Sequence, residues 1–384
     1  VHKKKVLSVF GTRPEAIKMA PVVKKLAGEP KLESEVLVTG QHQSMLSQVL
    51  DLFDIEPDYD LEVMVPGQTL ARLTSRILTK LDGVLKQIQP DLILVHGDTA
   101  TTFSSALTAV YNQLSVGHVE AGLRSYNRYS PYPEEFNRRL VSRLADLHFA
   151  PTANNRRNLR EEGIDEENIL VTGNSVVDAL QLVVEDNYSF AQPCLQELNF
   201  ADQQVLLVTA HRRENWGQTI GNLCRALQGI IRDQPQAVVV FPLHLNPDLQ
   251  KKIKGYLQGI ERIKLLPPLD YREFINLMGR SALVVTDSGG LQEEAPGLNV
   301  PVVVVRETTE RQEGLERGTL KLAGTDQTSI KKTITELLTN QQQYDKMVEA
   351  ANPYGDGRAS GRITAGILYY FGLCQFKPEE FVDC

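Results

Sequence analysis

The stretch Ala282-Leu-Val-Val-Thr-Asp-Ser-Gly-Gly-Leu-Gln-Glu-Glu-Ala295 carries an apolar run into a Ser-Gly-Gly turn and then into an acidic helix start. Residues 282–285 read as a buried strand. Backbone N–H groups at Ser288, Gly289 and Gly290 can approach an anion closely, and a helix starting there points its positive end at the same place. The acids just inside that helix suit a sugar, because vicinal hydroxyls donate and carboxylates accept. Successive helical residues diverge by about 100 degrees, so one of Glu293 and Glu294 faces a ligand, and Glu294 is the choice. The pattern asks for a nucleoside diphosphate held by backbone and a ribose hydroxyl held by Glu294. The same residues also serve as a plain strand, turn and helix whose acids complement the dipole.

Other strand ends gather polar residues of the same kind. Gly11-Thr-Arg-Pro-Glu-Ala-Ile-Lys18 follows the apolar run 6–10 and brings Arg13 and Lys18 near a helix N-terminus, as an anion site or as surface cations. Asp91-Leu-Ile-Leu-Val-His-Gly-Asp-Thr99 delivers His96, Asp98 and Thr99 to the carboxyl end of a buried strand, the edge where ligands bind in open α/β sheets. Asp98 taken alone is better read as the cap of the next helix. His118, Glu120 and Arg124 end the next strand, and a Glu in that place has less structural excuse. Glu134 opens a helix, where the dipole accounts for it. His211 stands after the strand at 205–209.

The elements that position these residues form two sets. Strands at 6–10, 36–39, 91–95, 116–119, 148–150 and 168–172 alternate with helical patterns, the longest being Leu70, Leu73, Ile77, Leu81, Leu85 and Ile88 before Pro90. This half reads as a complete doubly wound sheet. After a polar, Pro-containing stretch at 187–204, read as connecting material, a second set follows with strands at 205–209, 237–241, 262–265, 282–285 and 301–305. The fold class expected is α/β, with two Rossmann-like domains and a cleft between their polar edges. No internal repeat is visible.

Length and composition agree: 384 residues suggest two domains, and 42% hydrophobic content suffices for two cores. A net charge of -7 argues against nucleic acid as a partner. Cys194, Cys224, Cys374 and Cys384 are widely spaced and form no cluster with His, so neither a disulfide framework nor a metal site is expected, and a cytoplasmic location is the default. The apolar run after Lys3-Lys4-Lys5 is too short for a signal peptide, and no run approaches membrane-spanning length.

Taken together, Gly11 to Lys18, His96-Gly-Asp-Thr99, His118 to Arg124, Pro133-Glu-Glu135, His211-Arg-Arg-Glu214, Asp287 to Glu294, Thr308-Thr-Glu-Arg311 and Asn352-Pro-Tyr-Gly-Asp-Gly357 resemble the non-hydrolysing bacterial UDP-N-acetylglucosamine 2-epimerases in order and over almost the whole chain. The resemblance implies the glycosyltransferase-B arrangement of two facing domains, here 1–174 and 175–357, with a C-terminal helix at about 358–373 returning to the first. It implies a homodimer that interconverts UDP-GlcNAc and UDP-ManNAc for cell-surface polysaccharide synthesis. By position, Arg13, Ser288, Gly289, Gly290 and Glu294 match UDP contacts, while Lys18, Asp98, Glu120, Glu134 and His211 match residues implicated in catalysis. Relatives activated by a second UDP-GlcNAc are similar in having a Gln41-His42 segment followed by another amide, and an Arg near position 67. This chain departs from that pattern with Ser44 and Gly67.

Inverting C2 of such a sugar needs either transient oxidation by bound nicotinamide or elimination of UDP to 2-acetamidoglucal. No GxGxxG follows any expected strand, so no cofactor is called for and elimination is left. Arg13 and Lys18 would stabilise the leaving diphosphate, and Asp98, Glu120 and Glu134 would exchange protons on the two faces of C2. Crowded carboxylates raise one another's proton affinity, so one of them could act as the acid. His211 is assigned to the leaving diphosphate. The rivals are a hydrolysing epimerase releasing ManNAc, a sister specificity for diacetamido-uronate sugars, a glycosyltransferase and a nucleotide-sugar sensor.

Overall fold

The computed structural model describes residues 3–40, 43–210, 212 and 215–382, without the side chains of 43–45. Two compact units divide the chain: the residues up to Leu182 together with those from Tyr354 onward, and Val183–Pro353.

The first unit is built on a seven-stranded sheet of β1 (Lys4–Phe10), β2 (Leu32–Val38), β3 (Tyr59–Asp60), β4 (Leu92–His96), β5 (Ser115–Val119), β6 (Leu147–Ala150) and β7 (Ile169–Val171), ordered β3-β2-β1-β4-β5-β6-β7. All pairs are parallel. β4 is buried at every position, as a strand covered by helices on both faces must be. Leu7, Val9, Ile93 and Val95 pack against Leu73, Ile77, Leu81 and Leu85 of the helix Leu70–Ile88. That apolar stripe at intervals of one turn is why the segment is helical, and Thr69 caps it by accepting from the Arg72 N–H. The chain leaves β1 toward β2 and returns to β4 on its other side, which puts the switch point between the turns after β1 and β4.

The second unit has six parallel strands, β8 (Gln204–Thr209), β9 (Ala237–Pro242), β10 (Ile263–Leu266), β11 (Leu283–Thr286), β12 (Val302–Val304) and β13 (Leu320–Leu322), ordered β10-β9-β8-β11-β12-β13. The switch point recurs between β8 and β11. Leu206, Val208, Val239, Phe241, Val285 and Val303 meet the apolar stripes of the helices Gln218–Asp233 and Gln327–Thr339. Cys224 belongs to this core, and burial pushes its thiol up to about 12, which leaves it inert at neutral pH.

Two segments differ from expectation. The stretch 187–204 is packed structure of the second unit: Phe190 stacks on Phe200 with centroids 5.7 Å apart, and the Ala191 and Gln192 N–H groups donate to Glu273. The division at Leu182 places most of the helix Ser175–Val183 with the first unit, as does its bonding. Asn174 N–H donates to the Tyr354 carbonyl at 2.6 Å, and Asp178 accepts from the Ala359 and Ser360 N–H groups at the start of the helix Ala359–Tyr370.

Candidate active site

In the first unit, the turns after β1 and β4 are tied together by one buried carboxylate. Thr12 caps the helix Arg13–Ala27, and Glu15 completes the capping box. Glu15 Oε2 accepts from the N–H groups of Gly11 and Thr12 and from the Thr12 hydroxyl, at 2.8 to 2.9 Å. Its Oε1 accepts from the hydroxyls of Thr99 and Thr102, at 2.6 and 3.1 Å. A Cβ at Gly11 would lie 2.0 Å from Thr39 Oγ1 and 2.7 Å from Thr101 Oγ1, so only glycine allows this approach. Arg13 stands exposed one residue past the cap.

Asp98 does not cap the helix Ala100–Tyr111. Thr99 does so, in a capping box with Thr102. Asp98 Oδ2 accepts instead from Arg138 at 2.5 Å, while its backbone carbonyl accepts from Asn137 Nδ2 at 2.9 Å. Arg138 lies one turn beyond Glu134 on the helix Glu134–Leu144, so this helix serves both carboxylates. Glu134 Oε2 is buried without a hydrogen-bond partner, which the dipole account of this residue does not explain.

Glu120 follows β5 in the left-handed region, φ 61°, at a cost of about 1–3 kcal/mol for a residue with a Cβ. Its Oε1 is held by Lys18 Nζ and by Asn174 Nδ2, the latter at 3.0 Å. His96 Nε2 lies 3.7 Å from Oε2. Burial pushes His96 down, and the opposing pull of Glu120 does not restore it, so this imidazole is neutral. Next to it, His118 Nε2 bonds the Gly97 carbonyl at 2.8 Å, and burial pushes it down to about 3. Arg124 is structural, with its guanidinium buried against Glu162 at 2.7 Å. Lys18 and Glu120 are thus brought into direct contact, and Asp98 is paired with Arg138 of the helix that Glu134 opens.

In the second unit, Asp287 is buried at the end of β11 and accepts from the Arg212 N–H at 3.1 Å and Asn215 Nδ2 at 2.9 Å. Ser288 N–H donates to Thr286 Oγ1 at 2.9 Å, so this amide, expected to face an anion, is engaged within the chain. The helix expected here is one turn, Leu291–Glu294, continued as a 3-10 turn Ala295–Leu298 by way of Pro296. A dipole of that length is small. Glu293 is buried and holds Arg311 through Nε and an Nη at 2.9 and 2.6 Å, whereas Glu294 is partly exposed. The Arg311 guanidinium comes within 3.5 Å of where a Cβ on Gly289 would stand. Burial pushes Glu310 up, but the Arg306 fork at 2.7 and 3.1 Å outweighs it and brings the carboxyl down to about 2. His211, Gln41 and His42 lie outside the described residues.

The family model for UDP-N-acetylglucosamine 2-epimerase matches residues 24–368. The chain belongs to this family. It is 49% identical over 381 residues to UDP-N-acetylglucosamine 2-epimerase of Bacillus subtilis, with 99% of each chain covered. Among solved structures, the MnaA–UDP complex from S. aureus is 48% identical with a TM-score of 0.89, covering 99% of this chain and 100% of that one. The Neisseria meningitidis UDP-GlcNAc 2-epimerase bound to UDP-GlcNAc is 45% identical with a TM-score of 0.86, covering 95% and 100%. Among the described residues, no group of three or more His, Cys, Asp or Glu could hold a metal ion, and no helix is long and apolar enough to cross a membrane.

In this member of the epimerase family, Glu15, Arg138, Asn174 and Arg311 shape the two edges without having been singled out for chemistry in the sequence. Glu15 had a signal, because Thr12-Arg-Pro-Glu15 is a capping box. Arg138 had a weaker one, the one-turn spacing from Glu134. Nothing local announces the pairing of Arg311 with a carboxylate 18 residues earlier.

Proposed function

We propose that this chain interconverts UDP-N-acetylglucosamine and UDP-N-acetylmannosamine by eliminating UDP to 2-acetamidoglucal and adding it back. The observation that carries the reading is the edge of the first unit, where Glu120 is held by Lys18, Asp98 by Arg138, and Glu134 keeps a buried oxygen without a partner. A group that exchanges a proton with C2 must present an oxygen no neighbour occupies, which favours Glu134 as one of the pair. Asp98 and Glu120 are the candidates for the opposite face, with Lys18 and Arg13 answering the negative charge that develops on the leaving diphosphate. Ser288, Gly289 and Gly290 hold the diphosphate, Glu294 a ribose hydroxyl, and His211 protonates or hydrogen-bonds the leaving group. The family resemblance adds a cytoplasmic homodimer, which sedimentation of the purified protein tests.

The deciding experiment is incubation with UDP-GlcNAc alone, in heavy water, followed by separation of the products. UDP-ManNAc with deuterium at C2 of both epimers is expected. Free ManNAc with UDP would replace the reading by hydrolysis. Epimerisation with all C2 hydrogen retained would remove elimination.

A further inference from the structure

Asn174 stands between β7 and the helix Ser175–Val183, 4% exposed, and both ends of its side-chain amide are committed. Oδ1 accepts from the Val176 N–H at 3.0 Å, and Nδ2 donates to Glu120 Oε1 at 3.0 Å. The orientation of the amide is therefore decided by its surroundings, since an N–H can face only the oxygen and a carboxylate oxygen only the nitrogen. Its backbone is gripped as well. The Asn174 N–H donates to the Tyr354 carbonyl at 2.6 Å, and a Cβ on Gly173 would lie 3.3 Å from Gly355 Cα. Asn174 thus precedes the last first-unit helix before the chain leaves at Leu182, and it is bonded to Tyr354, where the chain re-enters.

We propose that Asn174 is the positioning residue for Glu120: its amide nitrogen fixes Oε1 beside Lys18, while its amide oxygen caps the following helix. The inference rests on Glu120 being one of the proton-exchanging groups. Glu120 leaves β5 in a left-handed backbone conformation that its own chain does not favour, so partners must define where the carboxylate points. Lys18 is a flexible point charge that tolerates many angles, whereas a buried amide fixed at both ends allows one. The donor also stabilises the carboxylate over the acid. The titratable groups facing Glu120 include Lys18 from the helix after β1 and His96 from β4, with Asp98 and Glu15 among the charges around His96.

Asn174→Asp separates this role from a merely structural one. Aspartate caps helices as well as asparagine does, so the fold is kept, but it replaces the donor to Glu120 by a second carboxylate. A like charge at that distance makes Glu120 harder to ionise. The acid limb of kcat/KM for UDP-GlcNAc should move up by about one to two pH units. At neutral pH, kcat should fall roughly tenfold while KM and the calorimetric affinity for UDP stay within about twofold. Asn174→Ser keeps a capping oxygen and withdraws the donor without adding charge, so it should shift the limb in the same direction by less. A pH profile of either folded variant superimposable on the wild type overturns the inference while the epimerase reading stands. A wild-type protein that makes no UDP-ManNAc overturns both.

Discussion

The two sheets switch direction at equivalent places, between β1 and β4 in one unit and between β8 and β11 in the other, and each closes that point with one buried carboxylate that accepts from backbone and side-chain donors of the neighbouring turn. The carboxylates come from opposite sides. In the first unit it is Glu15, from the helix after the first strand, reaching across to Thr99 and Thr102. In the second it is Asp287, from the end of β11, reaching back to Arg212 and Asn215. The consequence concerns the Asp at the end of the returning strand. Asp287 is occupied in holding the turn and is 1% exposed. Asp98, relieved of that task, has a side chain 23% exposed and pairs with Arg138. One topology therefore yields an edge of carboxylates in one unit and an edge of backbone, hydroxyl and arginine groups in the other.

The largest effect should come from that asymmetry. Glu120→Gln, Glu134→Gln and Asp98→Asn keep size but cannot accept a proton, and turnover should fall by roughly two to four orders of magnitude with UDP affinity retained. Asp287→Asn still accepts through its amide oxygen, so kcat should stay within about tenfold of wild type. If Asp287→Asn stops turnover in a folded, UDP-binding protein while Asp98→Asn does not, the division between chemical and structural aspartates is wrong.

Gly289→Val probes the other edge. The new side chain would meet the Arg311 guanidinium, which Glu293 holds in place, and would cover the backbone that the diphosphate is proposed to approach. Calorimetry should detect no UDP binding to a protein that remains folded. Unchanged affinity would move the seat elsewhere and leave the second unit without its proposed task.

The two stitching carboxylates should matter to stability in their own units only. Glu15→Ala strands the N–H groups of Gly11 and Thr12, and Asp287→Ala those of Arg212 and Asn215, so each should cost about 3 kcal/mol or more. Hydrogen exchange localises the loss: β1 and β4 should lose protection in the first variant, β8 and β11 in the second. Loss spread evenly over both sheets in either variant would contradict independent stitching.

Much of this architecture was legible. Buried parallel strands read as largely apolar runs, so β1, β4, β8, β9 and β11 are visible as such, and Gly turns mark the carboxyl ends of β1, β4 and β11. β3 and β13 were not visible, because strands of two and three residues at the sheet margins carry too little pattern. The early half of β2 was hidden by Glu33, Ser34 and Glu35, acidic and polar residues whose place in a strand is secured by Lys5 on the neighbouring one. At the site, residue types at strand ends were readable, whereas their partners were not: the choice of Thr99 over Asp98 as cap, and of Arg138 as the partner of Asp98, depends on a helix that starts more than 30 residues later. Local signals report where a side chain begins and leave open what it meets.

The smallest effect is in the pH dependence of the two units. His96, His118 and His148 are buried in the first sheet on adjacent strands, whereas His244 of the second unit is exposed. Burial lowers all three, His118 from 6.5 to about 3. Below 6.5 the unfolded chain takes up protons that the native unit refuses, so this contribution is complete above pH 6.5 and is lost as the pH falls toward 3. Asp178, raised by burial, works in the opposite direction, one group against three. In the second unit, Glu310 lies at about 2 against an ordinary 4.5, so what it contributes is complete above 4.5 and is lost only as the pH falls toward 2. Acidification from pH 7 to 5 should therefore reduce hydrogen-exchange protection in β4, β5 and β6, after correction for intrinsic rates, while β8, β9 and β11 hold theirs. His118→Gln, which can still donate to the Gly97 carbonyl but cannot take up a proton, should flatten the dependence in the first unit. Equal losses in both units over that range would show that the buried histidines do not set the acid response.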